Sequence, residues 1–347
     1  MKNIDFIVDS CTSLRYFIPI VEAGNLRGIN SNFFVLKNNK YNCPFDKRNF
    51  FHLENLSNLF KINLFNFERE LLKKTESKVI FTIEGSKKEF LKYYDLKISL
   101  TTMTDYTVLY KKYVDYVDYV LFPSMFMASY YNDMKIYPID GREAGGTLTN
   151  KNIYLGSTKY DIDIDNYTYG FDKLKNKKKI LLFAPNLEDS KSYKLFQDIV
   201  KRLKINDNFI VIVKTRGKHP VQKKYQGHAY FEDCHWYPHT SMVLINESDI
   251  ILTFGSTVTK ECVMLNKPFI NIDTKKFKHL DFLTSKSCIR IEIEKELNVN
   301  SIFDKINYLL DKKVDLDEFR KLRSNFLYEK EKTKVSDKLL DFCKSKF

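Results

Sequence analysis

Ser248-Asp249-Ile250-Ile251-Leu252-Thr253-Phe254-Gly255-Ser256-Thr257, continued by Val258 to Asn266 and by Lys267-Pro268-Phe269-Ile270-Asn271-Ile272, is the stretch whose reading decides the fold. The apolar run Ile250 to Thr253 predicts a buried strand. A Gly-Ser-Thr turn, an amphipathic helix and a second apolar run follow, so the whole reads as one βαβ unit. Gly255 permits a sharp turn and close approach to a ligand, while Ser256 and Thr257 bring hydroxyls and N–H groups to a helix start, where an anion is favoured. A phosphate suits that turn. The same residues also suit a plain N-cap on a structural helix.

Outward from this unit the alternation continues. Lys179 to Phe183 reads as a strand ending in Ala184-Pro185-Asn186, Ser190 to Leu203 has the apolar period of a helix, and Phe209 to Val213 is a further buried strand. That last strand runs into Lys214-Thr215-Arg216-Gly217-Lys218-His219-Pro220, which sets three cations and a histidine at a strand C-terminus. Cys288 to Ile293 reads as a late strand, and from Asn300 onward the pattern is helical.

The N-terminal half has the same rhythm. Strands are predicted at Ile4 to Val8, Asn32 to Leu36, Lys78 to Ile83, Lys97 to Thr101 and Tyr119 to Phe122, with a short strand at Asn152 to Gly156. Helices are predicted at Ser13 to Ala23, Leu56 to Leu72 and Tyr106 to Val114. Such alternation implies a parallel sheet with helices on both faces. Open α/β sheets bind ligands beyond their strand C-termini, and Asp9, Ser10, Glu84 and Asp105 fall there. The polar stretch Asp161 to Lys178 suits a linker (about 159–178), so two domains are expected, 1–175 and 176–347.

At 347 residues with 44% hydrophobic content, the chain can bury two cores. No apolar run approaches the roughly 18 to 20 residues that span a membrane. The N-terminus reads as a first strand and not as a signal peptide. Cys11, Cys43, Cys234, Cys262, Cys288 and Cys343 lack CxxC spacing, which argues against structural zinc and a disulfide framework, and a cytoplasmic protein with free thiols is expected. His228, His235 and His239 with Cys234 match no zinc pattern, so no metal site and no cofactor are assigned.

The net charge of +13 is uneven: residues 1–175 carry 24 Lys+Arg against 21 Asp+Glu, and residues 176–347 carry 33 against 23. A basic second half points to a phosphorylated ligand, an anionic membrane surface or a nucleic acid. The absence of any zinc finger, RRM signature or basic helix repeat argues against nucleic acid.

Three segments resemble proteins of one family. Tyr154-Leu155-Gly156-Ser157-Thr158-Lys159-Tyr160-Asp161 resembles a Gly-Asn-x-x-x-Asp turn, with Ser157 in place of Asn. Val213 to Pro220 resembles a K-x-H-P strand end, three residues longer. Ser248 to Pro268 resembles a block with Asp-Ser-Gly after the strand and Glu and Lys-Pro further on; Glu261 and Lys267-Pro268 are in place, with Phe254 where Asp is usual. The pattern is similar to GT-B nucleotide-sugar proteins, the group of surface-polysaccharide glycosyltransferases, CDP-glycerol glycerophosphotransferases and UDP-N-acetylglucosamine 2-epimerases.

The resemblance implies an α/β fold of two Rossmann-like domains facing across a cleft, with C-terminal helices. It further implies Ser256 and Thr257 on the donor phosphates and Glu261 on the ribose hydroxyls. Gly255, Asn186, Lys214, Arg216 and Lys218 complete the candidate donor-binding set, the cations neutralising a leaving diphosphate. His219 is a candidate phosphate donor or acid. For the base, Asp9, Glu84 and Asp105 are candidates by strand-end position, Glu84 favoured because Gly85 leaves room beside it. The expected activity is metal-independent transfer of a sugar from a nucleotide-activated donor to a glycan or lipid-linked acceptor, with the basic half resting on lipid headgroups. An epimerase or glycerophosphotransferase of the same fold, or a non-catalytic binding relative, stays open.

Overall fold

The computed structural model describes the chain except residues 37–46, 67–71, 73–74, 84–90, 102–113, 134–146, 175, 186–188, 216–219, 234, 274–279 and 294–298, and the side chains of 47–51, 114, 131 and 172. It divides into two compact units: Met1–Ile162 together with Leu327–Phe347, and Asp163–Phe326.

Unit one is built on strands β1 (Asn3–Val8), β2 (Asn30–Val35), β3 (Ile62–Asn66), β4 (Val79–Ile83), β5 (Leu96–Leu100), β6 (Tyr119–Phe122) and β7 (Asn152–Tyr154), all parallel, in the order β3-β2-β1-β4-β5-β6-β7. Helices α1 (Leu14–Leu26), α2 (Lys47–Phe60) and α3 (Met125–Asp133) are also described in this unit. The strands are short apolar runs because both faces are covered, as expected of parallel sheets. On one face Phe6 packs against Phe17, Phe33 and Phe81 with ring centroids 5.0, 5.0 and 5.3 Å apart.

One predicted element is corrected here. The helix expected over Leu56 to Leu72 ends at Phe60, and Ile62–Asn66 is strand β3. Lys61 takes a left-handed backbone (φ 54°), which stops the helix. The alternation Ile-Asn-Leu-Phe-Asn then suits an edge strand, and Asn63 Nδ2 donates to Asn32 Oδ1 of β2 at 2.9 Å. The helix predicted at Tyr106 to Val114 lies, but for Val114, outside the described residues.

Unit two carries β8 (Lys178–Phe183), α4 (Ser190–Lys204), β9 (Phe209–Lys214), β10 (Ala229–Phe231), α5 (Thr240–Glu247), β11 (Ile250–Phe254), α6 (Thr259–Met264), β12 (Phe269–Asp273), β13 (Cys288–Glu292), α7 (Val299–Asp311) and α8 (Leu316–Phe326). Its six strands are parallel, in the order β10-β9-β8-β11-β12-β13. Alternate residues of β8, β9, β11 and β12, among them Ile180, Leu182, Val211, Val213, Ile250, Leu252 and Ile270, form one core with Leu195, Phe196 and Ile199 of α4 and Ile302 and Ile306 of α7. The βαβ unit read from Ser248 onward is therefore present as β11-α6-β12.

The final helix, α9 (Val335–Lys344), belongs to unit one, not to the C-terminal domain in which the sequence places it. Three contacts fix it. Asp161 accepts the backbone N–H groups of Val335 and Ser336 at 3.1 and 2.6 Å, capping the helix N-terminus. Arg27, just beyond α1, makes ion pairs with Asp337 and Asp341 at 2.7 and 2.6 Å. Tyr328 donates its hydroxyl to the Ser157 carbonyl at 2.9 Å. Gly156 is required beneath it: its φ is 104°, and a Cβ there would lie 2.7 Å from the Tyr328 ring.

The Gly156-to-Asp161 turn thus serves as the seat of the last helix. Asp161→Ala strands two buried N–H groups, and a loss of about 2 kcal/mol is expected in urea unfolding. An unchanged midpoint would mean that Asp161 does not hold α9.

Candidate functional site

The two strand orders share one feature. In unit one the chain leaves β1 toward β2 and β3 and then returns to β4 on the other side of β1; in unit two it leaves β8 toward β9 and β10 and returns to β11. These are topological switch points, where the loops at neighbouring strand C-termini part and a ligand finds space. The switch in unit one lies between β1 and β4, and the one in unit two between β8 and β11. Asp9 follows β1 directly, and Gly255 follows β11.

At the unit-two switch Gly255 has φ 52°, a left-handed conformation natural to glycine, and its N–H donates to the Ile272 carbonyl at 2.9 Å. Ser256 Oγ accepts the N–H of Val258 at 3.3 Å, and the Ser256 carbonyl accepts the hydroxyl of Thr259 at 3.3 Å. The turn is thereby tied at both ends. Gly255 to Val258 are half-exposed, whereas Thr253, Phe254 and Thr259 are buried. Glu261 on α6 is 6% exposed, so it is not a solvated helix carboxylate. Phe254 packs edge-on to Phe196 at 6.3 Å, which accounts for an aromatic where the resembled pattern has Asp. Lys267 is half-buried and donates to the Ser248 carbonyl at 3.3 Å, closing β11 onto the start of β12; desolvation pulls its pKa down.

At the end of β9 the structure gives Lys214 a partner. Lys214 is 3% exposed, and its ammonium pairs with Asp233 and donates to the Thr215 carbonyl at 3.3 Å. His239 Nε2, at the N-cap of α5, lies 3.7 Å from the same Asp233 oxygen. The charge of Lys214 is therefore balanced within the protein, in a buried cluster that ties β9 to the loop before α5.

A second polar cluster sits at the ends of β12 and β13. Arg290 grips Asp273 through Nε at 3.1 Å and through Nη2, and donates Nη1 to the Leu280 carbonyl at 3.1 Å. Asn271 Nδ2 reaches Asp273 Oδ1 at 2.7 Å. The sequence reading overlooked Asp233, Asp273 and Arg290, and weighed His239 only as a metal ligand. For Asn271 and Asp273 the signal was present: alternation with Ile270 and Ile272 places both on one face of β12.

In unit one Asp9 is half-buried at the strand end and accepts the Ser13 hydroxyl at 3.1 Å. Burial outweighs that hydrogen bond and raises its pKa above the usual carboxylate value. Ser10, beside it, exchanges a hydroxyl hydrogen bond with Thr12 at 2.6 Å. The other candidates, Glu84, Asp105, Asn186, Arg216, Lys218 and His219, lie outside the described residues. Among the described residues no group of three or more His, Cys, Asp or Glu side chains is arranged to hold a metal ion, and no helix is long and apolar enough to cross a membrane.

No family model matches the sequence, and no curated protein does. Solved structures match over the full chain. The UDP-GlcNAc 2-epimerase of Neisseria meningitidis, bound to UDP-GlcNAc, has a TM-score of 0.63 at 12% identity, covering 99% of this chain and 100% of that one. A glycosyltransferase of Rickettsia africae gives 0.56 at 15% identity, covering 99% and 98%. The glycotransferase of kitacinnamycin gives 0.61 at 6%, covering 99% and 98%. At such identities the likeness is one of fold: the chain has the GT-B fold that its sequence pattern resembles.

Proposed function

We propose that this chain is a glycosyltransferase that takes a sugar from a nucleoside-diphosphate donor and passes it to a glycan or lipid-linked acceptor. The observation that carries the reading is the pair of switch points, with the Gly255-Ser256-Thr257 turn at one and the Asp9 carboxylate at the other. The turn would receive the donor diphosphate, with Glu261 toward the ribose, and Arg216, Lys218 and Asn186 complete the proposed donor set. Asp9 would take the acceptor hydroxyl proton. The acceptor oxygen then forms the new bond at the sugar anomeric carbon as the bond to the diphosphate breaks, its electron pair leaving with the nucleotide. Arg216 and Lys218 at the leaving group would neutralise its charge without a divalent metal.

Support comes from the neighbours, whose names include glycosyltransferases. They include 2-epimerases too, so epimerisation is the second reading. Nucleotide released only when acceptor is present supports transfer; isomerised sugar formed without acceptor would replace the reading.

Donor binding is tested separately. A nucleoside diphosphate at a hundred times its Kd is expected to stabilise the protein by about 2.7 kcal/mol. Thr257→Ala, which removes one hydrogen bond to a charged phosphate, should weaken binding about tenfold or more. Equal affinity in the variant would remove the turn from the site.

A further inference from the structure

We propose that the N-terminal edge of the unit-two sheet is a docking surface for an anionic lipid bilayer. Lys177 and Lys178 are exposed at the start of β8, and Lys204 ends α4. These segments adjoin: Lys178 donates its N–H to the Asn208 carbonyl at 2.8 Å, and protonation of His228 is disfavoured first by burial and then by Lys204 and Lys177. Among the described residues no carboxylate forms an ion pair with these three lysines; Asp207 is the acid that acts on His228 beside them.

Two aliphatic side chains stand among these charges. Ile205, next to Lys204, is 83% exposed, and Leu174, whose carbonyl accepts the Lys177 N–H at 3.2 Å, is 43% exposed. Lysines at a helix C-terminus are accounted for by the helix dipole, but a bare isoleucine beside them is not. Aliphatic tips within a cationic rim match a bilayer interface, where the tips enter the headgroup boundary and the ammonium groups meet lipid phosphates. A nucleic acid would be met by cations and aromatic platforms instead. All six strands are parallel, so this edge is opposite the one that carries Gly255 to Thr257, and docking leaves the turn open.

The test uses the full chain and sedimentation with vesicles of phosphatidylcholine, alone or mixed with phosphatidylglycerol. Binding to the mixed vesicles only, weakened by salt, is expected. Each lysine adds about a fivefold gain in partitioning, so Lys177→Ala/Lys178→Ala/Lys204→Ala should lose on the order of a hundredfold. Ile205→Ser should lose about tenfold, a loss that charge alone would not produce. Both variants change exposed or half-exposed positions and should keep the thermal shift given by nucleoside diphosphate. No binding to mixed vesicles, equal binding by the variants, or binding to a homopolymeric RNA in place of vesicles would each overturn the proposal. None of these outcomes bears on donor binding or transfer, which are read by the thermal shift and by nucleotide release.

Discussion

Asp9→Asn is expected to lower turnover by about 10²- to 10⁴-fold, the usual loss when a general base is removed, while making the protein more stable at neutral pH. The second half of that result follows from burial. Asp9 is half-buried beyond β1, and desolvation raises its pKa despite the hydroxyl of Ser13 at 3.1 Å. A carboxyl whose pKa is higher folded than unfolded takes up protons on folding, so its ionisation opposes the folded state. The opposition is absent below the unfolded value, grows as pH rises through the folded value and is complete above it. Asparagine keeps an oxygen for Ser13 and never ionises. Its stabilising effect should therefore be largest above the folded pKa and fade as pH falls toward the ordinary carboxylate range. In the wild type the same raised pKa makes Asp9 a stronger base, and kcat/KM should fall on the acid side as Asp9 protonates. A variant with wild-type turnover removes Asp9 as the base; one that is less stable at every pH removes the account of its burial.

Lys214→Ala is expected to destabilise unit two by about 3–5 kcal/mol, because it leaves the Asp233 carboxylate largely buried and without its ammonium partner. Lys214 is 3% exposed, and the pair is reinforced by the Thr215 carbonyl at 3.3 Å. Removing both charges differs physically from removing one. Lys214→Met/Asp233→Leu replaces the pair with apolar groups of similar bulk, and its urea midpoint should return to within about 1 kcal/mol of wild type. Its affinity for a nucleoside diphosphate should also stay near the wild-type value, since the charge of Lys214 is already balanced by Asp233. A stable double variant that no longer binds nucleotide would instead return Lys214 to the donor site. If the single alanine variant were as stable as wild type, the pair would not be the brace that its burial implies.

The sequence by itself determined the architecture, because hydrophobic periodicity is a local property. Runs such as Ile250 to Thr253 and Phe209 to Val213 suit strands covered on both faces, as in a parallel sheet, and their order along the chain alternates with helices. The Gly255-Ser256-Thr257 turn was legible for the same reason: it follows a strand and opens a helix, and its φ of 52° favours glycine. The strand β3 was missed because Leu59, Phe60, Ile62 and Leu64 fit a helical period as well as an alternating one, and only the left-handed Lys61 separates the two.

What only the tertiary structure decided are the pairings between residues far apart in the chain. Asp161 caps a helix 174 positions later, Arg27 reaches Asp341 across 314, and Lys214 meets Asp233 rather than standing as an open cation. A carboxylate beyond a strand has the same local sequence whether it caps a helix, braces a lysine or takes a proton. Its role is set by what the fold brings within 3 Å and by how much water the fold removes, and neither is a property of neighbouring residues.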